Sequence, residues 1–121
     1  MPPKPKFSRE EISDAAFEIV RLKGAEALTA REVGNRLGSS ARPIFTVFKD
    51  MNELKEAVVV KAENRMNEYI LRAEGYEPLY KQVIKEMISF ACEEPNLFHL
   101  IFLILLLIFG ILILVQAVYL I

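Results

Sequence analysis

Apolar residues recur at helical spacing along most of this chain, and then, from Leu100 onward, the polar positions between them disappear. Ile12, Ala16, Ile19, Val20 and Lys23 share one stripe of a helix that Gly24 stops. Ser8 and Glu11 stand at capping-box spacing at its start, and Phe7 with Ile12 forms the flanking hydrophobic staple. The same grammar returns at Thr29 and Glu32, with Leu28 and Val33 as staple; a short helix follows, pointing Val33 and Leu37 inward and ending at Gly38. A third helix is predicted at once, with Ser39-Ser40 as cap, Pro43 in the first turn and Ile44, Phe45 and Phe48 as apolar positions. Asp50, with Glu53 three residues later, caps a fourth helix running through Arg72 to a stop near Gly75. Leu79–Cys92 reads as a fifth, closed by Glu93-Glu94-Pro95. The predicted fold is all-α. Two short helices around a tight Gly-Ser turn, framed by longer ones, make a helix-turn-helix, although the same topology also fits a plain helical bundle that touches nothing.

Charge sharpens this picture. The 121 residues suit one domain, or a small domain with an appendage, and carry a net charge of −1. Residues 1–49 hold nine Lys/Arg against six Asp/Glu, whereas residues 50–94 hold six against ten. A sequence pI of 5.9 therefore hides a mildly basic front end, and binding follows the local field. Residues 1–6, with two lysines among three prolines, read as a disordered basic arm and lack the apolar stretch of a signal peptide. Glu63, Arg65, Glu68, Arg72 and Glu74 read as the exposed face of the fourth helix.

Catalytic and metal chemistry find no residues. Cys92 is the only cysteine, which excludes an internal disulfide and suits a reducing compartment. Cys92 and His99 have no further Cys or His to complete a zinc site, and both are expected to be buried. Gly34 and Gly38 do not sit between a strand and a helix, so there is no phosphate loop. No enzymatic activity and no cofactor are expected.

The stretch LTAREVGNRLGSSARPIFTVFKDMNEL, Leu28 to Leu54, resembles the DNA-binding domain of the TetR family of bacterial transcriptional regulators. Thr29–Val33 is similar to that family's first motif helix, Leu37–Ser40 to its turn, and Pro43–Phe45 with Phe48–Asp50 to its recognition helix and exit. Phe90-Ala91, Glu94–Phe98 and Leu100 resemble a segment early in the family's regulatory domain. The resemblance implies a three-helix DNA-binding domain over 7–50, then a partial helical regulatory and dimerisation region over 51–121. It implies that Thr29, Arg31, Ser39, Ser40, Ala41, Arg42, Pro43, Phe45, Thr46 and Lys49 meet DNA. Arg42 suits a guanine edge or a phosphate, Ala41 and Pro43 suit a thymine methyl, and Thr29 and Lys49 suit phosphates. Two positions depart from the family pattern: Phe45 stands where tyrosine is frequent, and Met51 where lysine is. The implied function is a cytoplasmic repressor that binds double-stranded operator DNA as a homodimer and is released by a small apolar effector, with Phe98, His99 and Phe102 as pocket candidates.

The tail fits this reading least well. The chain is shorter than a typical family member, and residues 97–121 would form a helix about 37 Å long that is apolar on every side. Three accounts compete: a helix buried in a dimer core or effector pocket, a membrane anchor, and a stretch foreign to the fold beyond about Phe102. The anchor account carries the alternative function, a membrane-tethered helical interaction protein.

Overall fold

The computed structural model describes residues 5–120; most of the predicted basic arm lies outside that range. Five α-helices follow in order: α1 (Arg9–Lys23), α2 (Ala30–Arg36), α3 (Met51–Leu71), α4 (Leu79–Glu93) and α5 (Pro95–Leu120). Short 3₁₀ helices at Ala25–Ala27 and Arg42–Thr46 precede and follow α2.

The capping residues explain where the helices begin. The Ser8 hydroxyl accepts from the Glu11 backbone N–H, and the Glu11 carboxylate accepts in return from the Ser8 N–H. Thr29 and Asp50 cap α2 and α3 through the backbone N–H groups of Glu32 and Glu53. The second box is only half made, because the Glu32 carboxylate turns instead to Lys23 Nζ at 3.3 Å.

The core runs from the motif into the C-terminal helices. Ile12, Ala16, Ile19 and Val20 of α1 are buried with Val33, Ile44, Phe48, Leu54, Val58, Ala62, Tyr69, Phe90, Leu97 and Ile101. The first two turns of α5 thus belong to the core, whereas from Leu103 onward the side chains of α5 are exposed. At the α4–α5 junction Glu94 is only 7% exposed. Its carboxylate lies 3.5 Å from Arg21 of α1 and 3.5 Å from Arg65 of α3. Asn96 Nδ2 donates to the Arg21 carbonyl at 2.9 Å, and the Tyr69 hydroxyl donates to Glu93.

Several expectations need correction. Cys92 and His99 are exposed, not buried. Each stands two residues after a buried anchor, Phe90 and Leu97, and two residues rotate a helix by about 200°, to its far side. Arg65 is half-buried, because it reaches Glu94. The third helix is a five-residue 3₁₀ turn, not an α-helix, and it is preceded by Ala41 with no side-chain cap from Ser39 or Ser40. Pro43 in its first turn removes a donor, and Ile44, Thr46 and Val47 are β-branched residues with modest helix propensity. In this tight turn Ile44 and Phe48 face the core while Phe45 rotates outward, 49% exposed.

Two contacts hold the motif in shape. The chain after the turn passes so close to α2 that a Cβ on Gly34 would lie 2.8 Å from both the carbonyl carbon and the oxygen of Ser40. Beside it the Ser39 N–H donates to the Gly34 carbonyl at 2.8 Å, and Gly38 makes the turn with φ +71°. At the exit, Glu53 accepts from the Lys49 N–H at 2.7 Å and from Arg9 Nη1 at 3.0 Å. The Lys49 amide first, and Arg9 second, hold the Glu53 carboxyl below its ordinary value. Arg9 also lies over the Phe48 ring, 4.3 Å from its centroid.

Two outcomes follow from these contacts. Gly34→Ala forces backbone apart and should destabilise the chain by about 1–3 kcal/mol in urea unfolding, whereas Asn35→Ala on the exposed side of the same helix should cost far less. A depressed carboxyl stabilises the fold above its unfolded pKa, and that contribution disappears as pH falls through the lowered folded value. Wild type should therefore be more stable than Glu53→Gln at neutral pH, with the gap in melting temperature closing in acid.

Candidate nucleic-acid interface

Most of the positions expected to meet DNA lie at the surface. Thr29, Arg31, Ser40, Arg42, Phe45, Thr46 and Lys49 are exposed, and Ser39, Ala41 and Pro43 are half-buried.

Local structure positions each one. Thr29 is committed through its hydroxyl to the N-terminus of α2. The Thr46 hydroxyl donates to the Pro43 carbonyl at 2.7 Å, locking the 3₁₀ turn. Lys49 is held by its backbone N–H on Glu53 and its side chain is exposed. Among the described residues, the side chains of Arg31, Arg42 and Lys49 make no ion pair, which leaves their charges free for an anionic partner. By contrast Arg9, Arg21, Lys23 and Lys61 are spent on internal carboxylates. The proton of Lys61 is held more tightly than usual by Asp14 and then Glu10, and that of Arg21 by Glu18 and then Glu94. Lys55 of α3 and Lys81 and Lys85 of α4 are likewise in no ion pair among the described residues, so the motif holds part of the free positive charge.

Four residues outside the expected contact set also bear on the motif. Lys6 reaches the motif turn, with Nζ 3.4 Å from the Ser39 hydroxyl, so the end of the basic arm lies against the interface. Arg36, at the end of α2, is exposed and adds a further cation. Glu53 and Arg9 act from behind by fixing the exit. The sequence signals were present in Lys6 and Arg36 as basic residues, but their placement needed the turn at Gly38.

The effector candidates have different surroundings. Phe98 and Phe102 stack with ring centroids 4.3 Å apart, and Phe98 continues towards Phe90. His99 lies elsewhere, on a cleft of ≈ 310 Å³ lined also by Lys23, Glu26, Asn96 and Leu103. Among the described residues, no group of three or more His, Cys, Asp or Glu side chains could hold a metal ion.

Known proteins place this arrangement. The chain is 30% identical over 70 residues, 58% of its length, to the class D tetracycline repressor protein of Escherichia coli. It has the same identity and coverage with the class H tetracycline repressor protein of Photobacterium damsela subsp. piscicida. It is 26% identical over 105 residues, 76% of its length, to the uncharacterized HTH-type transcriptional regulator YvkB of Bacillus subtilis (strain 168). These matches take in 32% of each tetracycline repressor and 54% of the Bacillus protein, so the chain spans about a third to a half of the length of the curated relatives it matches. No protein-family model and no solved structure matches the chain. In sequence and in architecture, the chain is TetR-like: an all-α protein, similar to tetracycline repressors, built around a helix-turn-helix.

Proposed function

We propose that this chain is a sequence-specific DNA-binding transcriptional regulator, acting as a repressor in the bacterial cytoplasm. One observation carries the reading: the unpaired cations Arg31, Arg42 and Lys49 share an exposed face of a helix-turn-helix whose sequence is similar to that of tetracycline repressors. The 3₁₀ turn at Arg42–Thr46 enters the major groove, with Ser39, Ser40 and Arg42 towards base edges and Ala41, Pro43 and Phe45 supplying apolar contact. Thr29, Thr46, Lys49 and the Lys6 arm meet phosphates and set the register. Two copies occupy a palindromic operator with half-sites about 34–36 Å apart, one helical turn of DNA. A small apolar effector releases the operator by favouring a different spacing of the two motifs.

The test is a retardation assay on an operator selected from a random palindromic pool. Arg42→Ala should weaken the selected site by about 5- to 150-fold, the equivalent of one lost bidentate base contact, and change binding to random DNA little. Lys49→Ala should instead weaken all sequences alike and reduce the salt slope by about 0.9. Equal losses on both DNAs for Arg42→Ala would remove it from base reading, and failure to select any site would sink the regulator reading.

A further inference from the structure

We propose that residues 103–120 of α5 span a lipid bilayer as a direct continuation of the head's own core, with acyl chains covering the faces that α3 leaves open at Ile104, Leu105 and Ile108 and all faces beyond them. Helix α5 runs unbroken from Pro95 to Leu120, and the stretch from Pro95 to Tyr119 is long and apolar enough to cross a membrane. Its two halves differ in what surrounds them. Leu97 and Ile101 are buried in protein, and Phe98, Leu100 and Phe102 are packed against the same cluster. Beyond them Leu106, Leu107, Phe109, Ile111, Ile113 and Leu114 are all exposed.

Residues 103–120 rise about 27 Å, comparable with a hydrocarbon thickness of about 30 Å. The distribution of apolar groups also selects the occupant. Successive residues turn by about 100°, so a run that is apolar at every position but Gly110 and Gln116 covers the full circumference. A second copy would cover a stripe roughly 100° wide and leave the remaining Leu, Ile and Phe in water. Lipid covers all sides at once. A Cβ on Gly110 would meet no atom within 4 Å, so this glycine serves no helix contact within the chain.

A polar collar stands where the helix leaves the head. Lys23, Glu26 and His99 border Leu103 on one side, and Asn52, Lys55 and Glu56 border Ile104 on the other. Lys55, which is in no ion pair among the described residues, suits a phosphate headgroup at that level, and Tyr119 adds an exposed amphipathic ring further along the helix. The DNA-facing side chains remain exposed in this arrangement.

The experiment uses the full chain in vesicles of phosphatidylethanolamine and phosphatidylglycerol at a ratio of about 3:1, floated after extraction at alkaline pH, with single arginine substitutions from Leu103 to Tyr119. Wild type should float with the vesicles. Leu112→Arg, at mid-span, should lower the inserted-to-extracted ratio about a hundredfold, while Leu103→Arg and Tyr119→Arg should lower it only a few-fold. The loss should depend on depth and not on helix face. Losses repeating every three to four residues, release from the vesicles by alkali, or recovery of a detergent-free soluble dimer would overturn the proposal. Head folding is followed by helicity in every variant, since the substituted side chains lie outside the core. DNA retardation is scored separately, so a failed operator assay and a failed insertion assay stay distinguishable.

Discussion

A single carboxylate ties four helices together. Glu94 ends α4, its N–H donates to the Phe90 carbonyl at 2.8 Å, and its own carbonyl accepts from Phe98 in the first turn of α5. Its side chain meanwhile bridges Arg21 of α1 and Arg65 of α3. A carboxylate this enclosed is stable only while cations flank it, because an unpaired charge away from water costs several kcal/mol. The pairing therefore dictates where α5 starts, and by placing Leu97 and Ile101 it completes the core that α1 lends to the motif. The helix-turn-helix and the apolar helix both pack on the core that this residue helps to close.

Within the motif, shape comes from backbone proximity more than from side-chain volume. Gly34 lets the segment after the turn touch α2, and the positive φ of Gly38 reverses the chain beside it. Glu53 then closes the exit by engaging a backbone amide and a guanidinium together. These constraints make the five-residue 3₁₀ turn a rigid platform although it is too short to be stable alone. Rigidity of that kind suits groove reading, since base contacts lose value when the side chains that make them are not held in register.

The two halves of the chain answer to different solvents. In the head, Arg31, Arg42 and Lys49 of the motif make no ion pair among the described residues, while Arg9, Arg21, Lys23 and Lys61 are neutralised internally. In the outer part of α5, no charge is present from Leu103 to Leu120, and the side chains from Leu103 to Tyr119 are exposed although α3 still borders Ile104, Leu105 and Ile108. Burial against a core and immersion in hydrocarbon make the same demand on side chains, and one helix can meet both demands in sequence without a linker.

Much of this was legible in the residues alone. Ser8, Thr29 and Asp50 marked three helix starts, Gly24 marked the end of α1, and the spacing from Leu28 to Leu54 was enough to identify a TetR-like motif, because caps, stops and apolar periodicity are local properties of the chain. What local pattern did not carry was anything set by rotation or by distant partners. Cys92 and His99 lie outside because two residues turn a helix to its other side, Arg65 is drawn partly inward by Glu94, and the third helix is a 3₁₀ turn with Pro43 in its first turn, just after the chain has passed α2 at Ser40. Sequence by itself determined the helices, the motif and the absence of charge in the tail. Only tertiary structure decided where along α5 protein stops covering the helix, since that boundary depends on how far α1, α3 and α4 reach, not on any change in the residues of α5 itself.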